Sequence, residues 1–161
     1  MAKNRSVILS PMPEEEFGPY LENGIREYAR QKTISGEWSE YEALRLSEAD
    51  HERLLPDGLK TPDQHLFVVR DATCGEPVAT LWIALRPKGA LVEGYIYDIE
   101  VHERWRGQGY GRATMLAGIE KARALGAQTV GLHVFGHNAP ARALYRSLGF
   151  VETNVSMSLD L

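Results

Sequence analysis

An α/β (α+β) domain on a mixed β-sheet is the fold class predicted by three observations on this sequence of 161 residues. Two segments with helical periodicity open the chain. Three strand-like runs follow one another across short turns. From Tyr95 onward the pattern alternates strand, helix, strand, helix, strand. A meander joined by short turns together with crossover helices gives a mixed sheet flanked by helices.

The elements follow in order. Residues 7–12 form a short strand, stopped by Pro11 and Pro13. Over 14–34, Phe17, Leu21, Ile25 and Tyr28 recur at helical spacing despite Gly18, Pro19 and Gly24, and Gly36 ends the segment. Ser39 and Glu42 make a capping box, so a second helix starts there and runs to about Leu55, before Pro56. The turn signals Asp57-Gly58 and Thr61-Pro62 lead into the meander. Its strands are 66–70 and 78–85, joined by a turn at Gly75, and then 91–101. Met115, Leu116, Ile119 and Ala122 share one face of the next helix, which Gly126 stops. Val130, Leu132 and Val134 alternate in a strand over 129–135. Asn138 is a good N-cap, Ala141, Leu144, Tyr145 and Leu148 form an apolar stripe, and Gly149 ends that helix. Val155, Met157, Leu159 and Leu161 alternate strictly, as in a final strand.

Length and composition are those of a single domain over 1–161, with no repeat, linker or low-complexity tract. No apolar run approaches a membrane span, and the N-terminus lacks the apolar core of a signal peptide, so the cytoplasm is the expected location and no membrane partner is expected. The single cysteine, Cys74, lies in a turn as an ordinary surface thiol and leaves no intrachain disulfide. The histidines show no metal-ligand spacing, so no metal is expected. The formal charge is −4, with acidic side chains in excess over 1–65 and near balance over 66–161. No basic patch suggests nucleic acid. An acidic half beside an anion-binding half suits a cationic amine, although solvated helix faces also explain such charge.

The anion-binding half is defined by Arg106-Gly107-Gln108-Gly109-Tyr110-Gly111-Arg112, which lies between a strand and a helix. Alternate glycines allow dihedrals closed to other residues, and free N–H groups at a helix start face an anion. Arg106 and Arg112 flank the loop and can add charge-assisted hydrogen bonds. A Walker A loop requires Gly-Lys before Ser or Thr, which is missing. The dinucleotide fingerprint requires another glycine spacing and an acidic residue on the following strand, also missing.

Arg106, Gly109 and Gly111 resemble the Arg-x-x-Gly-x-Gly pyrophosphate loop of the GNAT superfamily of acyl-CoA-dependent N-acyltransferases. Asn138, Ala141, Leu144, Tyr145, Gly149 and Phe150 are similar to that superfamily's second signature, at the expected distance. The resemblance implies a GNAT fold, with a central mixed β-sheet splayed between two parallel strands. Residues 1–65 form the acceptor side and 66–161 the acetyl-CoA-binding core. It further implies that the backbone of Ile99 and Val101 holds the pantetheine arm and that N–H groups of Gly107, Gln108, Gly109, Tyr110, Gly111 and Arg112 hold the pyrophosphate. Asn138 binds the arm, caps its helix, or both. Tyr145 serves the leaving sulfur, or else is a core tyrosine on the helix stripe.

The reaction implied is transfer of acetyl from acetyl-CoA to a primary amine, of a small molecule or a peptide, by direct attack in a ternary complex. The base stays open among Glu100, which has the slight preference, His133 and Asp98. The plain alternatives are an arginine salt bridge for Glu100 and ordinary packing for His133. His137 shapes the loop beside Asn138. A non-catalytic acyl-CoA-binding sensor or interaction module is the competing function. Trp38, Trp82 and Trp105 are candidates for core packing and, as alternatives, for a homodimer surface or an acceptor pocket.

Overall fold

A computed structural model describes residues 4–161. Five strands lie in sequential order: β1 (Val7–Pro11), β2 (Gln64–Asp71), β3 (Pro77–Lys88), β4 (Leu91–Val101) and β5 (Thr129–Leu132). The first three pairings are antiparallel and β4–β5 is parallel, so the sheet is mixed as expected. Helices α1 (Glu14–Ile34) and α2 (Ala43–Leu54) connect β1 to β2. Helix α3 (Tyr110–Ala124) crosses from β4 to β5, and α4 (Ala139–Ser147) follows β5. No helix among the described residues is long and apolar enough to cross a membrane.

The central strands bury both faces. On one side Phe67, Val69, Leu81, Ile83 and Ile96 pack with Tyr110, Met115 and Ala122 of α3. On the other, Leu66, Val68 and Trp82 pack with Met12 and Leu55, and with Phe17, Tyr20 and Leu21 of α1. Successive residues of β2 thus feed opposite cores, which is why it reads as a continuous apolar run. Close packing of α3 on β4 needs a glycine: a Cβ on Gly94 would lie 2.7 Å from that of Ala122. Asp71, at the end of β2, accepts a 2.6 Å hydrogen bond from the buried Tyr110 hydroxyl and two more from the N–H groups of Thr73 and Cys74. It ties the β2–β3 turn to the start of α3, and these donors hold its carboxyl well below the usual carboxylate range.

Several expectations are corrected. Ser39 donates to the Glu42 carboxylate, and its carbonyl accepts from the N–H groups of Glu42 and Ala43; residues 39–42 are therefore a turn, and α2 begins only at Ala43. Leu116 is exposed, because the buried stripe of α3 runs through Thr114, Met115, Gly118 and Ala122. The strand expected over 129–135 stops at Leu132. The strand expected over 155–161 does not form, and its apolar side chains stand in solvent. Cys74 is exposed, as its turn position suggests.

Candidate active site

The site begins at a break in the sheet. Strand β5 accompanies β4 only from Glu93/Thr129 to Ile96/Leu132, whereas β4 continues to Val101. At the same point β4 carries one extra residue: Ile83 pairs with Ile96 and Trp82 with Asp98, leaving Tyr97 as a bulge. Such a bulge bends its strand. The His102 N–H bonds Val78 on the β3 side. Backbone groups alternate in direction along a strand, so those of Val101 and Ile99 point the other way, into the opening left by β5. The Val101 carbonyl there accepts from Arg106 Nε at 3.0 Å.

The opening leads to the first turn of α3. Gly107 (φ 68°) and Gly109 (φ 92°) both occupy the left-handed region, and Gly109 is the N-cap. Among the described residues no backbone bond uses the N–H groups of 107–112, while Ala113 already donates to the Gly109 carbonyl. Arg5 braces the loop from behind: it donates to the Gln108 carbonyl and lies over the Tyr110 ring. A Cβ at Gly111 would meet Leu144 of α4 at 3.4 Å and Val101 of β4 at 3.8 Å, so three elements converge on this corner. A row of free donors at a helix N-terminus suits a diphosphate, and an unpaired strand edge suits an amide-bearing arm.

On the α1/α2 side a cavity of about 380 Å³ opens against the same stretch of β4. Its wall includes the rings of Tyr20, Tyr28, Trp82, Tyr95, Tyr97 and Phe135. It also includes the carboxylates of Glu27, Asp50, Asp98 and Glu100, against the cations Lys32 and Arg53. Asp98 accepts a hydrogen bond from the Tyr20 hydroxyl at 2.9 Å. Burial raises its pKa to about 6; the Tyr20 bond opposes the shift, and the charges of Glu100 and Glu27 add to it. Burial pushes the Tyr145 phenol upward, and the negative charge of Asp98 adds to this, so Tyr145 stays protonated across the neutral range. Burial also lowers the pKa of His133, with Lys32 contributing.

The structure brings Glu100, Asp98 and His133 to this cavity, while Tyr145 packs on the α3-side core beside Phe150. Glu100 is engaged: it accepts from Asn23 at 3.2 Å and lies 3.8 Å from Arg106, the ion pair that its plainer explanation called for. Arg106 is directed at Val101 and Glu100, whereas Arg112 donates to Ser147 of α4. The Tyr110 side chain is buried on Asp71, leaving only its N–H at the loop. The Asn138 side-chain Oδ1 caps α4 by accepting from the Ala141 N–H. His137 bonds Gln31 of α1, and Phe135 stacks on it.

Sequence reasoning missed Tyr20, Glu27 and Asp50, because helical periodicity marks apolar stripes and these lie beside them. One signal was present in Gly24, an unfavourable residue inside α1, where a Cβ would come within 3.5 Å of the His51 ring. Trp82 is both core and cavity wall, donating to Gln64 at 2.6 Å.

A mixed sheet that splits between its two parallel strands, with free helix-start donors at the split, is a frame compatible with an acyltransferase. Residues 26–150 match the acetyltransferase (GNAT) family. The chain belongs to that family, and acyl transfer is its reaction class. It is 39% identical over 156 residues to YycN of Bacillus subtilis, an uncharacterized N-acetyltransferase, covering 97% of this chain and 99% of that one. The crystal structure of YycN has a TM-score of 0.91 over 97% of this chain and 99% of its own. YdgE of the same organism, also an uncharacterized N-acetyltransferase, is 33% identical over 95% of this chain and 97% of its own. The mycothiol acetyltransferase of Saccharomonospora viridis is 34% identical over 74% of this chain, which spans 39% of that protein.

Proposed function

We propose that the protein transfers an acetyl group from acetyl-CoA to a cationic primary amine, of a small molecule or a peptide, held in the aromatic and acidic cavity. The observation that carries this reading is the early end of β4–β5 pairing at Ile96/Leu132. It leaves the backbone edge at Ile99 and Val101 without a partner strand, with the Val101 carbonyl held only by the Arg106 side chain, and leads to the free N–H groups of 107–112. Bound there, acetyl-CoA supplies an activated thioester. The N–H groups of Gly107 to Arg112 hold the pyrophosphate, and the β4 edge holds the arm as a partner strand would.

Within the cavity the carboxylates attract the ammonium and the rings lie against it by cation–π contact. Asp98 takes its proton: it is half-buried, it faces the cavity, and a pKa of about 6 leaves it ionised yet basic at neutral pH. Glu100 is engaged by Asn23 and Arg106 and serves to hold the cationic amine in the cavity. The neutral amine attacks the acetyl carbonyl, the carbon–sulfur bond breaks, and the Tyr145 phenol supports the departing thiolate.

Release of free thiol from acetyl-CoA, measured over a panel of amines, peptides and aminoglycosides and corrected for hydrolysis, tests this reading. Turnover is expected with at least one cationic primary amine. Tight coenzyme A binding with turnover on none would overturn it in favour of an acyl-CoA-binding module.

A further inference from the structure

The acceptor cavity has a second polar point that the acyl-transfer chemistry does not use. His51, near the end of α2, lines the cavity, and its Nδ1 lies 2.8 Å from the Ser47 carbonyl. A carbonyl oxygen only accepts, so Nδ1 carries the hydrogen, and in the neutral ring Nε2 is left as a lone-pair acceptor. Among the described residues, Thr114 and Thr129 alone bury a side-chain polar atom that has no partner. His51 Nε2 also has none, so it is open to the cavity. The ring is held in place. Tyr28 and Trp82 pack against it, with centroids at 6.0 and 6.1 Å. Ser47 is fully buried and donates to the Ile25 carbonyl at 2.7 Å, which ties this turn of α2 to α1.

Gly24 is an independent sign. It stands in the middle of α1, where glycine disfavours a helix, and its backbone is not left-handed. The neighbour that a Cβ there would meet is His51 Nε2, at 3.5 Å. An alanine would fit, but its methyl would cover the lone pair from the α1 side. The glycine keeps that atom accessible.

What reaches Nε2 is a hydrogen-bond donor, and the surrounding charges select its kind. Asp50 is engaged by Arg53 at 3.4 Å, and Glu27 by Arg30 and Gln31. Lys32 already lies over the Tyr28 ring. A second ammonium therefore finds no uncommitted carboxylate beside His51, whereas a hydroxyl needs none. Trp82 pairs with Asp98 across β3–β4 and packs on His51, so the indole borders both groups. One acceptor molecule can present its amine to Asp98 and its hydroxyl to His51.

We propose that the acceptor is an amino alcohol, a primary amine that also bears a hydroxyl, and that His51 selects it by accepting the hydroxyl hydrogen bond at Nε2. This rests on the amine-transfer reading of the same cavity.

Steady-state acetyl transfer to matched acceptors tests it. Aminopropanol, aminobutanol and aminopentanol are each compared with the alkylamine that has a methyl in place of the hydroxyl, and with the diamine that has an ammonium there. At one chain length the amino alcohol should be preferred over both in kcat/KM by roughly tenfold, as one hydrogen bond to a partly buried partner supplies. The preference should lie mainly in KM. His51→Phe should bring the ratio of amino alcohol to alkylamine close to unity, and a ratio within one preparation is not moved by partial unfolding. His51→Gln keeps an acceptor and should retain part of the preference, which a packing role alone would not. Gly24→Ala should lower the ratio in a chain that resists urea better, because alanine is the stronger helix former. Equal kcat/KM for amino alcohol and alkylamine, a preference for the diamine, or an unchanged ratio in His51→Phe would overturn this inference and leave amine transfer standing. Turnover on no amine would overturn both.

Discussion

Three ionisable side chains carry the proposed chemistry, and burial sets two of them apart. Asp98 has its pKa raised to about 6, and the Tyr145 phenol is pushed up by burial and by the charge of Asp98. The carboxylate can therefore accept a proton while the phenol keeps its own. Replacing Tyr145 by Phe should lower kcat by about one to two orders of magnitude, the usual general-acid contribution. Coenzyme A affinity by calorimetry should be nearly unchanged, because the phenol supplies none of the proposed phosphate donors. With Asp98 as the base, kcat/KM should rise with pH and level off above about 6, where the carboxylate is ionised. The change Asp98→Asn should remove that limb along with most of the activity. A limb that persists in Asp98→Asn and vanishes in His133→Gln would reassign the base to the imidazole.

At the scale of elements, the start of α3 and the middle of β4 are the sensitive joints. Gly109 holds φ 92°, a conformation that costs a β-branched residue at least about 1–2 kcal/mol. Relaxing that strain would turn the donors of the first turn. Gly109→Val should therefore weaken coenzyme A binding by roughly tenfold or more in calorimetry while circular dichroism remains that of a folded chain. Normal affinity would remove the loop from the binding site. Gly94 acts through packing alone, since its missing Cβ is what lets α3 approach β4. Gly94→Ala should cost about 1–3 kcal/mol in urea unfolding, as overpacking does. Only the first of these glycines stood out in the sequence. The loop glycine is legible because an alternating pattern before a helix has few other uses, whereas the need for Gly94 appears only once Ala122 lies across from it.

For the whole molecule, Asp98 and Asp71 set opposite pH dependences. The pKa of Asp98 is raised from 3.8 to about 6, so between those values the folded chain binds more protons than the unfolded one, and stability falls as pH rises through that window. Stability should fall less steeply between pH 4 and 7 in Asp98→Asn than in the unaltered chain, by at most about 3 kcal/mol in urea titrations. Asp71 has a depressed pKa, so the stabilisation it provides is present at neutral pH and is lost progressively as pH falls from the usual carboxylate range to well below it. These two groups couple the layers of the fold: Tyr20 of α1 to β4 through Asp98, and β2 to α3 through Asp71.

Local signals were enough for most of this architecture. Periodicity, turn residues and the glycine loop act over a few neighbours, and from them follow the mixed sheet, the helix order, the helix-start donors at 107–112 and the family resemblance. What depends on distant partners emerged only in three dimensions. Ser39 and Glu42 satisfy the capping pattern in sequence but bond each other. Val134 and the run from Val155 to Leu161 alternate like strands but pair with no strand among the described residues. Tyr20 and Asp98, 78 positions apart, meet only because a one-residue bulge at Tyr97 reorients β4 just where β5 leaves it. Side-chain pattern sets which way a segment prefers to fold; whether it pairs, and which carboxylate loses its water, is decided by what the rest of the chain brings beside it.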